Sequence, residues 1–131
     1  MIKVGDYYEL ERSFGEEEVK KFADLSNDHN PLHLDPDYAK KTFFGERIVH
    51  GMLYSSMISA ILANHLPGPG TIYMEQKLRF AAPVFYNEVL IARVEVHDMD
   101  NERKIAFLTT SIKKQSNDQI VIDGKAKVKV G

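Results

Sequence analysis

The chain contains no cysteine and no tryptophan among its 131 residues. Without cysteine there is no disulfide, no thiol nucleophile and no thiolate metal ligand, a composition that suits a reducing cytoplasm. Basic residues are not in excess: 17 Lys and Arg face 19 Asp and Glu, for a net charge of −2. That balance offers no electrostatic footprint for nucleic acid and no polybasic arm for anionic lipid. Met1 leads straight into Lys3, Gly5 and Asp6 with no apolar run behind it, so a secretory leader is not expected. The Gly68-Pro69-Gly70 triplet lacks the lysine and spacing of a phosphate loop. No G-x-S-x-G surrounds Ser55, Ser56 or Ser59, which argues against a serine hydrolase.

Charge is also missing from one long stretch, because Ile48 to Met74 holds no Asp, Glu, Lys or Arg. The Leu66-Pro67-Gly68-Pro69-Gly70 break arrives too early for the roughly 20 apolar residues of a membrane helix. A buried helix in a soluble domain is the better reading. With 44% hydrophobic and 27% charged residues, the chain is expected to form one domain, 1–131, around a single core.

Hydrophobic spacing sets out the elements in order. Tyr7 to Phe14 alternates, with Tyr8, Leu10 and Phe14 on one side, which predicts a strand with one wet face. Glu16-Glu17-Glu18 marks a helix start, where acids favour the positive end of the dipole. Val19, Phe22, Ala23 and Ser26 then follow at helical spacing to about Asn27. Asp35-Pro36 reads as N-cap and first residue of another short helix, through Lys41. His50 to His65 is the central helix, apolar on most sides and so expected to be wrapped by other elements. Its small residues Gly51, Ser55, Ser59 and Ala63 recur every fourth position, open to close approach or to tight packing on a sheet. Four strands follow, at Ile72–Phe80, Val89–Val96, Lys104–Lys113 and Ile120–Val130. Turns are expected at Asp98–Asn101 and Ser116–Asp118, with a bulge at Gly124. The pattern predicts an α+β fold, a curved antiparallel sheet wrapped around one long helix.

Chemistry concentrates in Ser26-Asn27-Asp28-His29-Asn30-Pro31-Leu32-His33-Leu34-Asp35-Pro36, read as a loop around a proline turn. Asp28 and His33 flank the turn, and a carboxylate with an imidazole can take a proton from water and return one nearby at neutral pH. Each also has a plain structural use: Asp28 can cap a turn, and His33 can be a satisfied loop histidine. Gly51 opens the central helix, where free N–H groups and the dipole favour negative charge. With no side chain there, a ligand carbonyl could reach the backbone, as in an oxyanion hole. The simpler alternative is a helix start with His50 as its cap. The neighbouring Asp28, His29, His33 and Asp35 do not match a zinc spacing, and Asp35 is better used as an N-cap.

These residues resemble the MaoC-like family of hot dog proteins, most closely its short single-domain (R)-specific enoyl-CoA hydratases. The resemblance runs through Phe22 to Asp35, Phe43, Ile48-Val49-His50-Gly51-Met52-Leu53, Leu66-Pro67-Gly68 and Phe80-Ala81-Ala82-Pro83-Val84. It implies a hot dog fold and a homodimer, or a dimer of dimers, with sites near the subunit interface. Asp28 and His33 match the family's catalytic pair, the Gly51 N–H its thioester donor, and Ser59 a position near the bound acyl group. The implied reaction is reversible syn addition of water to a trans-2-enoyl-CoA, without metal or redox cofactor. One departure is Asn27, where the family often has Gly; Asn tolerates left-handed backbone well. The same chemistry could serve a 3-hydroxyacyl-ACP dehydratase, with Lys77, Arg79, Lys125, Lys127 and Lys129 facing an acidic carrier. A non-catalytic acyl-thioester-binding or assembly subunit would not need the Asp-His pair. A thioesterase would direct water at the carbonyl, which the Asn-Pro-Leu-His block argues against.

Overall fold

The computed structural model describes residues 1–131. Strand β1 (Tyr7–Arg12) precedes helices α1 (Glu16–Ser26), α2 (Pro31–Leu34), α3 (Pro36–Lys40) and α4 (Gly51–Asn64). Strands β2 (Ile72–Phe80), β3 (Leu90–Asp100), β4 (Ile105–Lys114) and β5 (Ile120–Lys129) complete the chain. All strand pairs are antiparallel, in the order β1-β3-β4-β5-β2. Helix α4 lies on one face of this sheet. No helix is long and apolar enough to cross a membrane.

The core forms where period-2 and period-3.6 apolar faces meet. Met57, Ile58, Ile61 and Leu62 of α4 are buried against Leu90, Ala92, Val94 and Val96 of β3, Leu108 and Ile112 of β4, and Ile122 and Val128 of β5 in one cluster. Each fully buried aliphatic side chain contributes roughly 1.5–3 kcal/mol relative to exposure. At the far end of α4, His65 stacks on Tyr8 of β1 with ring centroids 4.1 Å apart. This is the hot dog arrangement, with α4 as the filling.

Several expectations need correction. The proline stretch is not only loop: Pro31–Leu34 forms a helical turn, with the Asn30 side chain accepting from Leu32 N at 3.0 Å. Helix α4 is not wrapped on all sides; Met52, Ser56 and Ser59 are exposed. The strand read as apolar on both faces alternates between buried and half-buried positions, and it continues to Asp100, past the expected turn. The reversal lies at Asn101–Lys104, where Lys104 takes φ +57°.

Gly124 is not a bulge. It stays in register between Thr110 of β4 and Leu78 of β2. A Cβ there would lie 1.9 Å from the Lys77 carbonyl oxygen, so glycine is needed for close backbone approach. The irregularity in that pair falls instead between Tyr73 and Glu75.

Strand β2 is a sheet edge, with exposed Ile72, Tyr73, Met74 and Phe80. Unpaired strand edges with apolar side chains are a ready surface for association.

Candidate active site

Two segments meet at the N-terminal end of α4. The first descends from α1, which ends because Asn27 adopts the left-handed conformation at φ +64°. Reversal there throws Asp28 out of the helix. The Asp28 N–H then donates to Ser26 Oγ at 3.1 Å, and its Oδ1 accepts from Asn30 N at 3.3 Å. Asp35 ends α2 and caps α3, its carboxylate accepting from Asp37 N and Tyr38 N. Local hydrogen bonds thus account for Asn30 and Asp35 as turn-builders and leave His33 facing the second segment.

That segment is Ile48-Val49-His50-Gly51. Val49 N donates to the Val84 carbonyl at 2.7 Å, which ties the segment to the loop after β2. His33 Nδ1 meets the Ile48 carbonyl at 2.8 Å. A nitrogen facing a carbonyl must carry the proton, so Nε2 is the acceptor of the neutral His33 ring. Tyr86 donates its hydroxyl to the His33 carbonyl and fixes the backbone from the other side.

Asp28, His33 and Gly51 line one cleft of about 500 Å³, together with His50, Met52, Tyr54 and Phe80. The helix leaves the Gly51 N–H without a protein acceptor. A Cβ at Gly51 would stand 2.5 Å from Phe80 Cε1, so the missing side chain lets the Phe80 ring close over the helix start. Burial pushes the Tyr54 hydroxyl up to about 12, keeping it protonated at neutral pH.

His50 stands at the N-cap position of α4, as the simpler alternative had it, but its side chain makes no cap bond. It is 1% exposed, and its Nε2 meets the Asp28 carbonyl at 3.0 Å. Its ring stacks on His33 at 3.9 Å and meets Phe22 edge-on at 4.9 Å. Burial pushes its pKa below the ordinary histidine value, with only a smaller upward pull from the Asp28 carbonyl. With Nε2 as donor, the buried Nδ1 has no hydrogen-bond partner. Such an unpaired buried acceptor costs roughly 1–3 kcal/mol. In sequence His50 was signalled by its place beside Gly51 and within the Ile48–Leu53 block that carries the family resemblance.

Donor atoms of Asp28, His33 and His50 lie within 4.8 Å of one another, the one grouping whose side chains could hold a metal ion. His29 is elsewhere, at 3.3 Å from Asp24 on the surface. Ser59 does not line the Asp28 cleft. It borders a second groove between α4 and β2, with Ser55, Ser56, Tyr73, Met74, Gln76 and Leu78, and Met52 borders both hollows.

Residues 3–117 match the model of the MaoC like domain. An (R)-specific enoyl-CoA hydratase of Aeromonas caviae is 45% identical over 129 residues, covering 98% of this chain and 96% of that protein. A mitochondrial 3-hydroxyacyl-[acyl-carrier-protein] dehydratase of Arabidopsis thaliana is 39% identical over 129 residues, covering 96% of this chain and 76% of its own. A solved structure of an (R)-hydratase from A. caviae involved in PHA biosynthesis superimposes with a TM-score of 0.96 at 45% identity, over 99% of this chain and 98% of the other. With a family model spanning most of the chain and full-length relatives at this identity, the protein belongs to the MaoC-like domain family.

Proposed function

We propose that the protein is an (R)-specific enoyl-CoA hydratase, a hydro-lyase that adds water reversibly to trans-2-enoyl-CoA to give (R)-3-hydroxyacyl-CoA. The observation that carries this reading is the convergence of a carboxylate, an imidazole acceptor and an unpartnered helix-start N–H on one largely apolar cleft. Hydration of a conjugated thioester requires those three functions and a place for an acyl chain.

The steps follow from the positions. Water is held between Asp28 and His33. One O–H bond breaks as the pair takes the proton, and the oxygen bonds to C3. The C2=C3 π electrons move toward the thioester, whose oxygen gathers negative charge against the Gly51 N–H at the positive end of α4. The pair returns a proton to C2 on the same face, which completes syn addition. Asp28 and His33 share these tasks as a coupled unit. Ser59, in the adjoining groove, is assigned to the region of the acyl chain.

The test is loss of the conjugated-thioester absorbance of crotonyl-CoA on adding the native protein, followed by chiral analysis of the product. Hydration giving the (R)-3-hydroxy product is expected. No loss of absorbance, an (S) product, or release of free CoA without hydration sinks the reading.

A second reading, a 3-hydroxyacyl-ACP dehydratase, is favoured by one observation. Lys77 and Lys125 stand directly opposite each other on β2 and β5, and with Arg79 they line a shallow hollow whose one acid, Asp123, pairs with Arg79. Such a facing pair of lysines is destabilising unless an anionic partner meets it. Rates on crotonyl-CoA and on its carrier-protein equivalent separate the two readings.

We also propose a cytoplasmic homodimer, with β2 edges meeting across a two-fold axis. Support comes from the apolar side chains exposed on β2 and Met52 exposed beside them. Size exclusion with light scattering should give twice the 14.9 kDa of one chain. A monomer at micromolar concentration would count against it.

A further inference from the structure

We propose that His50 is a positioning residue for the Asp28–His33 pair, acting as a hydrogen-bond donor that holds the Asp28 backbone and backs the His33 ring. The inference rests on the hydratase reading and extends it to a residue that does not face the reacting atoms as acid or base.

Three observations point the same way. The imidazole is buried, and its Nε2–H is committed to the Asp28 carbonyl at 3.0 Å. That bond spans 22 positions of sequence and is a direct link between the start of α4 and the Asp28 turn. The ring face also lies on His33 at 3.9 Å, which limits the tilt of the catalytic imidazole. The third observation is a penalty: Nδ1 is buried with no partner. A residue kept only for stability would not carry an unpaired acceptor into the interior, where Phe or Leu would fill the same space at no such cost.

His50→Phe keeps a ring of similar size and discards both nitrogens. His50→Gln keeps an N–H donor at similar reach and discards the ring. Misplacing the Asp28 turn by a fraction of an ångström is expected to lower kcat in His50→Phe by about tenfold or more, while KM stays within about threefold. The thermal midpoint of His50→Phe should hold or rise, because the unpaired acceptor has gone. His50→Gln should recover a substantial part of the lost kcat. Backbone amide resonances of Asp28 to Asn30 give a readout independent of substrate: displaced in His50→Phe, near native in His50→Gln.

Native kcat in His50→Phe overturns the proposal. So does a His50→Gln enzyme no better than His50→Phe, or a parallel fall of kcat and thermal midpoint in both variants. Unmoved amide resonances in His50→Phe overturn it even if the native protein leaves crotonyl-CoA untouched, an outcome that by itself would defeat the hydratase reading.

Discussion

Asp28→Asn and His33→Ala are each expected to lower the rate of crotonyl-CoA hydration by about a hundredfold or more, the usual contribution of a general acid–base group. Asparagine is the sharper probe. It keeps an oxygen where Asp28 Oδ1 accepts from Asn30 N, so the turn survives while the charge is lost. His33→Ala removes more: the bond to the Ile48 carbonyl and the stack on His50 go with the ring. Circular dichroism and thermal melting are therefore measured alongside the rate. The double variant should be little worse than either single one, because the proposed mechanism has the two groups act on one water and residues that act as a unit are not additive. A near-native rate in either folded variant removes that residue from its role.

Gly124→Ala destabilises the fold by about 3 kcal/mol, the upper part of the range for overpacking a tight interior. For a domain of this size that is a fall in thermal midpoint of about 10 °C. The cause is backbone against backbone: the new methyl would sit 1.9 Å from the Lys77 carbonyl oxygen and 3.0 Å from its carbon. No rotamer relieves such a clash, so β2 must move away from β5. The methyl would also crowd Gln76 Nε2, which reaches across to Thr110 Oγ1 at 3.0 Å. Calorimetry of the variant checks this, and an unchanged midpoint would show that the sheet yields more easily than its register implies.

What the sequence disclosed and withheld follows from the range of the forces involved. The limits of α1, α3 and α4, though not the short turn α2, were legible because their causes are local: Asp35 caps α3, Asn27 reverses the chain after α1, and the small and apolar residues of α4 keep helical spacing. The end of β3 was misplaced because Asp98 and Asp100 look like turn residues, yet pairing with Phe107 and Ile105 of β4 holds them in strand. Long-range pairing overrode local preference there. Gly124 was misread for a similar reason, since a glycine needed for a neighbour's carbonyl leaves the same mark in sequence as one needed for a bend. At the candidate site, residue type and spacing marked Asp28, His33 and Gly51 only weakly, the family resemblance supplied their proposed roles, and the fold brings all three to one cleft. The surroundings of the His50 side chain were not legible, because its contacts with the Asp28 carbonyl and the His33 ring exist only once the two segments meet.

The excursion from Lys20 to Arg47 supplies none of the 21 residues of the buried core cluster; only Leu34 touches its margin. Asp28 and His33 therefore ride on a part of the chain that lies outside the main cluster, although Ala23 and Ala39 within it are buried and Phe22 packs on His50. The residues proposed for the chemistry and those that make up the main core are thus carried by largely separate stretches of one chain, so exchanging Asp28 or His33 removes no side chain from that cluster.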